Sequence, residues 1–333
     1  EREGDQAAAV LDAMQVPENL AAGTGPGGSG KTRLAVEVSL GEAAAFLDGA
    51  CFVSLAPLLS GDLLAPTLAQ LLGVPVPSGG DVKARVFAWL RNREMLLLLD
   101  NFEHLTADAL VVSELLDRCP HVSILTTSRE PLRLYGEHVF PLSPLPVPPT
   151  GETGQAKQMA DLAAFASVEL FVQRSRAVAP AFRLSDTNAS VIGEICRRLD
   201  GLPLAIELAA AWAGQYPPQE MLGRLKQSVA LLPPGSRDLP PRHQTLAQTI
   251  GWSYDLLTPM EQALFRRLAV FAGGFDAISA EAVCNADGAF GPDTRDVLAA
   301  LVDKSLVYCV GGTDEGQADA RGPRYDLLET LRE

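Results

Sequence analysis

The stretch Gly25-Pro26-Gly27-Gly28-Ser29-Gly30-Lys31-Thr32 fits G-x-x-x-x-G-K-[ST], and each residue type in it suits a nucleoside triphosphate. Glycines lack a Cβ, so the backbone can enter positive φ and bring N–H groups close to phosphate oxygens. Lys31 is a compact cation that reaches β- and γ-phosphates, and the Thr32 hydroxyl is a hard oxygen ligand for Mg²⁺. The run Thr32-Arg33-Leu34-Ala35-Val36-Glu37-Val38 reads as a helix whose positive N-terminal dipole faces the phosphates. A flexible glycine linker ahead of a Lys-Thr pair is the competing reading, and the complete fit with a helix behind it weighs against that.

Two more polar residues end apolar runs. Met95-Leu96-Leu97-Leu98-Leu99 is five apolar residues in a row, which suits a central parallel strand buried on both faces, and Asp100 falls at its C-terminal end. Ligands of open α/β sheets bind at that edge, so Asp100 points where Mg²⁺ would sit. Val122-Ser123-Ile124-Leu125-Thr126-Thr127 is a further strand, ending at Ser128-Arg129. Arg129 at a strand tip can sense a γ-phosphate; the other reading is a surface arginine in a turn before Pro131.

These residues need elements to hold them. The strand feeding the loop must be Asn19–Thr24, a poor β-former with no β-branched residue before Thr24. Ala50–Leu55 has strand length, and helical patterns follow near 62–72 and 82–92. From 19 to about 145, strands alternating with helices predict a parallel sheet covered on both faces. Pro141 through Gly154, with five prolines, marks a boundary. Three helices then follow: Asp161–Ala177, Asn188–Leu199 stopped by Asp200-Gly201, and Leu204–Trp212 opened by Pro203. After the linker Pro233–Pro241, Thr258-Pro259-Met260-Glu261 is a helix start with a capping box, and Gly273-Gly274 ends that helix. Helices near 278–286 and 293–303 and a hairpin of Ser305–Val310 with Arg324–Leu327 suggest a winged helix. The expected division is therefore a P-loop nucleotide-binding domain at 1–145, a helical domain at 155–232 and a winged-helix domain at 243–333.

The chain has 333 residues, 47% of them hydrophobic, and a net charge of −14. That content excludes wholesale disorder, and the acidity argues against gripping nucleic acid or an anionic membrane. No apolar run is long enough to span a bilayer, and the first residues, Glu1-Arg2-Glu3-Gly4-Asp5, are unlike a signal peptide. Residues 6–14 favour helix by propensity. Cys51, Cys119, Cys196, Cys284 and Cys309 are scattered without a C-x-x-C pair, as in a reducing cytosol. A cytoplasmic location is the expectation. The start without Met and the stop inside a helical pattern point to a fragment of something longer.

Four ordered motifs carry a resemblance that covers the whole chain. Gly25–Thr32, Leu96–Asp100 with Asn101-Phe102-Glu103-His104-Leu105, Thr126-Thr127-Ser128-Arg129-Glu130 and Gly201-Leu202-Pro203-Leu204-Ala205 resemble the core of signal-transduction ATPases (STAND, NB-ARC-like). Arg237–Leu246, Trp252-Ser253-Tyr254 and Tyr325–Glu333 look like the AfsR and large LuxR-type bacterial transcriptional regulators. The resemblance implies an α/β P-loop NTPase domain (an αβα parallel sheet), a helical lid and a winged helix closing over ADP or ATP. It implies phosphate contacts from Gly25, Gly28, Ser29, Gly30 and Lys31, further cofactor-binding positions at Gly27 and Arg33, Mg²⁺ on Thr32 and Asp100, and a phosphate sensor at Arg129. It also implies that Pro203 packs on adenine and that Arg2 lies near the base; Lys31, Asp100 and Arg129 would be the catalytic set. His243 sits in a family-like stretch, where a structural hydrogen bond is the commoner role of a lone histidine.

The sequence departs from its relatives twice. Asn101 stands where related adaptors carry a second acid, and Glu103 could serve as base only through a different geometry. Leu328-Glu329 stands where relatives place a His-Asp pair. Slow hydrolysis is the expectation, within an ADP/ATP switch of a transcriptional regulator. Such a switch would self-associate when activated as the full-length protein, and its DNA contacts would lie outside this fragment. The alternatives are a turnover ATPase or kinase, and direct DNA binding through the winged helix. The 293–303 region, with Asp293, Asp296 and Asp303 against Arg295, is ill suited to phosphate contacts. No N-K-x-D motif reads guanine.

Overall fold

The leucine-rich strand Met95–Asp100 predicts the architecture, because it can be buried on both faces only if helices flank the sheet on each side. The computed structural model describes residues 19–77, 79–149, 159–229, 232, 245–271, 273–290, 294–310 and 323–332. Arg2, the helix expected over 6–14, the linker 233–241 and His243 lie outside them. The chain divides into two compact units: Glu1–Gly25 with Gly30–Leu142, and Pro26–Ser29 with Ser143–Glu333.

In the first unit the order is β1 (Leu20–Thr24), α1 (Lys31–Glu42), β2 (Ala50–Ser54), α2 (Leu64–Leu71), α3 (Val82–Leu90), β3 (Met95–Asp100), α4 (Leu110–Arg118), β4 (Val122–Thr127) and β5 (Glu137–Pro141). The sheet runs β2-β3-β4-β1-β5 with every pairing parallel. Every residue of β3 is buried. Leu97 and Leu99 pack with Val86, Phe87, Leu90, Val112 and Leu115, from α3 and α4. Leu96 and Leu98 face the other way, onto Ala35 and Val38 of α1. Each buried leucine contributes about 1.5–3 kcal/mol. That double cover fixes where the strand's polar end emerges.

β5 and α4 were not anticipated. β5 is half-exposed at the sheet edge and closes with Pro141, which has no N–H to give. The ladder continues one residue later, where Leu142 N–H donates to Thr24 O at 2.7 Å.

The second unit holds α5 (Met159–Ala163), α6 (Ala166–Val178), α7 (Ala189–Arg198), α8 (Pro203–Ala210), α9 (Pro218–Gln227), α10 (Leu246–Asp255), α11 (Pro259–Leu268), β6 (Phe275–Asp276), α12 (Ala277–Cys284), α13 (Thr294–Asp303), β7 (Tyr308–Val310), β8 (Arg324–Asp326) and α14 (Glu329–Arg332). The single helix expected over 161–177 is two, broken where Phe165 turns to extended backbone. α9 and α10 add to the three helices expected before 231 and to the winged helix. One core gathers Phe171, Ile192, Ile195, Ile206 and Met221. A second gathers Leu264, Phe265, Leu268, Leu298 and Leu301 beneath a three-stranded antiparallel sheet in the order β6-β8-β7. That part is a winged helix. α11 begins with the capping box expected: the Thr258 side chain accepts from the Glu261 N–H, and the Glu261 carboxylate accepts from the Thr258 N–H.

Candidate functional site

β1 ends at Thr24, and the chain turns at Gly25 (φ 149°), Gly28 (φ 82°) and Gly30 (φ 96°). Gly30 is the left-handed N-cap of α1, a region that costs a residue with a Cβ about 1–2 kcal/mol. It starts a 12-residue helix with no acidic side chain of its own in the first turn. Gly27 is half-buried in the turn at the tip of the loop, and Ser29 is buried with a hydroxyl that has no partner among the described residues. Pro26–Ser29 belong to the second unit, where the Leu204 N–H donates to Gly28 O at 3.2 Å. Pro203 there takes the first position of α8, where its missing N–H costs nothing. Arg33 lies exposed on α1.

Lys31 Nζ donates to Gly25 O at 2.8 Å, which folds the lysine back over its own loop. Burial lowers its pKa from 10.5 to about 8, against the pull of Glu103 and Asp100 upward; Arg129 pushes it further down. An ammonium held in that way is poorly solvated and gains strongly from an anion.

Asp100 leaves β3 buried, and its Oδ1 accepts from Thr32 Oγ1 at 2.6 Å and from Thr127 Oγ1 at 2.7 Å. Thr127 Oγ1 in turn accepts the Asn101 N–H at 2.9 Å. Thr127 was not among the site residues expected from the sequence; its signal was a polar residue at the last position of β4. Among the described residues no group of three or more His, Cys, Asp or Glu is placed to hold a metal. A hydroxyl and a carboxylate in contact do fit Mg²⁺, whose remaining positions are normally filled by water and substrate phosphates.

The chain turns sharply after the strand, with Asn101 left-handed at φ 70° and ψ 56°. Its amide approaches His104 Nδ1 at 3.4 Å, and His104 Nε2 meets Leu58 O at 3.0 Å. The turn carries Glu103 inward to Arg129, whose Nε donates to Glu103 Oε1 at 3.1 Å; the side chains are 7% and 6% exposed. Arg129 is therefore buried and ion-paired, and the alternative of a surface arginine falls. Lys31, Thr32, Asp100, Glu103, Thr127 and Arg129 all lie in the first unit. An apolar niche of Leu34, Ala35, Leu125, Phe140 and Leu142 adjoins Lys31. A separate cavity of about 460 Å³, lined by Asp62, Asp81, Lys83 and Glu114 among others, shares no residue with the loop.

Comparison with known proteins adds four findings. A family model described as a winged helix-turn-helix domain matches residues 257–333. A Mycobacterium tuberculosis protein called "Putative HTH-type transcriptional regulator" is 42% identical over 326 residues, 97% of this chain. The chain spans about a third of that relative's length (34%). Another M. tuberculosis protein, called "Uncharacterized protein", is 38% identical over 312 residues, covering 93% of this chain and 74% of the relative. Among solved structures, a Walker-type ATPase of Pyrococcus abyssi superposes with a TM-score of 0.60 at 13% identity, covering 100% of this chain and 93% of that one. That likeness is one of fold. Among the described residues no helix is long and apolar enough to cross a membrane.

Proposed function

The chain belongs to the family of the Mycobacterium tuberculosis protein it matches at 38% identity over 74% of that protein's length, and on that premise we propose that it is an adenine-nucleotide-dependent switch module of a bacterial transcriptional regulator. The observation carrying this reading is the contact of Thr32 Oγ1 with Asp100 Oδ1, directly after a loop bent by left-handed glycines. Thr32 and Asp100 would hold Mg²⁺, which supplies positive charge against the phosphates. Lys31 gives its ammonium to the β- and γ-phosphates, the N–H groups at the start of α1 face phosphate oxygens, and Arg129 answers the third phosphate. Two nucleotides that bind two conformations unequally would drive the switch, because a ligand with equal affinity for both shifts nothing.

Hydrolysis, in this reading, is slow and resets the switch. Asn101 carries no charge and its amide is turned to His104, so positioned cations supply the acceleration rather than a strong base. That disfavours a turnover ATPase or kinase. The winged helix is the observation behind a DNA-binding reading. Against it, α13 presents Asp296 and Asp303, and the neighbouring cation Lys304 is bound by both Glu261 carboxylate oxygens at 2.7 and 2.8 Å. We assign that domain to packing, and DNA contact to segments of the regulator beyond this chain. Self-association of the whole regulator on activation belongs to the same proposal.

Protein purified without added nucleotide should release adenine nucleotide, chiefly ADP, on denaturation, as read by chromatography. Lys31→Ala should release none and melt lower than the loaded parent, since a ligand bound at 100 times its Kd stabilises by about 2.7 kcal/mol. A guanine nucleotide in the parent, or equal loading of the variant, overturns the reading.

A further inference from the structure

The Glu103–Arg129 pair does a job that neither the phosphate loop nor the Mg²⁺ pair explains. Both side chains are more than nine-tenths buried, yet the pair is incomplete on the acid's side. Glu103 Oε1 takes the Arg129 Nε, while Oε2 is buried with no hydrogen-bond partner among the described residues. A carboxylate oxygen buried without a donor is costly, and a buried ion pair is often no more stabilising than apolar residues of the same volume. Fold stability is thus a poor reason for this arrangement.

Its position suggests another. Glu103 reaches Arg129 only because Asn101 adopts a left-handed turn at the end of β3, and Arg129 stands at the tip of the adjacent strand, β4. The same carboxylate acts electrostatically on the Lys31 ammonium more strongly than Asp100 does. An internal anion is therefore placed among the cations that the nucleotide reading gives to the phosphates. We propose that Glu103 is the chain's own competitor for Arg129: its carboxylate holds the guanidinium while the site carries a diphosphate, and cedes it to the third phosphate of a triphosphate. Glu103 is then a positioning residue that sets the preference between the two nucleotides, and the inference rests on the nucleotide reading above.

The test is a gain of affinity, which damage to the fold would not produce. Glu103→Gln keeps the shape and removes the charge. Titration calorimetry with Mg·AMPPNP and Mg·ADP should show AMPPNP binding about tenfold tighter than in the parent, equivalent to about 1.4 kcal/mol, with ADP within about threefold. The gain should vanish when Arg129→Gln is combined with it, as a double-mutant cycle requires of a shared interaction. Should Glu103→Gln fail to fold, Glu103→Asp, whose carboxylate stops one methylene short, should shift the ratio in the same direction. An unchanged or reversed ratio overturns the competitor role, as does a gain that survives loss of Arg129, and both leave the nucleotide site standing. A parent that binds neither nucleotide overturns this inference together with the reading beneath it.

Discussion

Asp100 Oδ1 takes hydrogens from two hydroxyls, one on the phosphate-loop helix and one on the neighbouring strand, so its position is fixed from two directions. Thr127 is the less obvious of the two, because its oxygen also receives the Asn101 N–H. Thr127→Val keeps the branched shape, strands that N–H and frees one side of the carboxylate. It should cost about 1–3 kcal/mol in chemical denaturation. It should also weaken the Mg²⁺ dependence of nucleotide affinity, and Thr127→Ser should restore both. A variant as stable as the parent would show that the bond is incidental. At this scale the sequence offered Gly25–Thr32, Asp100 and Arg129 as candidates through residue type and spacing, and the structure brings Thr32 against Asp100. The sequence did not display that Arg129 is bound by Glu103, because that pairing depends on one left-handed residue, Asn101, and backbone conformation at a single non-glycine position has no periodic signature.

The strands β2 to β4 were legible because each is short, apolar and followed by turn residues, and β3 and β4 begin and end at the residues expected; β1, a poor β-former, was placed only by the loop that needs a strand before it. β5 was not, because its burial is partial and it runs into a proline. α4 and α9 were missed among polar residues at their exposed positions, whereas the cap of α11 was readable from Thr258 and Glu261 alone. That cap carries a pH signature. Burial raises the Glu261 pKa, but hydrogen bonds from Lys304 and the Thr258 backbone outweigh it, and the net shift is downward from 4.5. A carboxylate with a depressed folded pKa stabilises above its unfolded value and loses that contribution as pH falls through 4.5 toward the folded value. Glu261→Gln should therefore lower stability by about 1 kcal/mol at pH 7 and progressively less as the solution is acidified below pH 4.5. Denaturation curves at pH 7 and pH 4 read the difference; a constant gap would remove the linkage.

At the scale of the molecule, the acid missing after Asp100 sets the expected tempo. Steady-state ATP turnover by this chain should lie well below the median enzyme rate of about 10 per second, and several turnovers per second in a phosphate-release assay would favour the turnover class. The order of sheet, helices and winged helix was readable from breaker-rich stretches and from the change of period after Pro141.

How the helical and winged-helix cores are joined was not readable. Leu327 sinks into the winged-helix core and its neighbour Leu328 into the helical one, while the Thr330 N–H donates to Asp200 Oδ2 at 2.8 Å, across 130 positions of chain. Two adjacent leucines thus act as a rivet through two plates, and the backbone between them has no slack with which to pivot. A protease offered this half of the molecule should find no foothold at that seam, and any swing it performs has to originate further upstream.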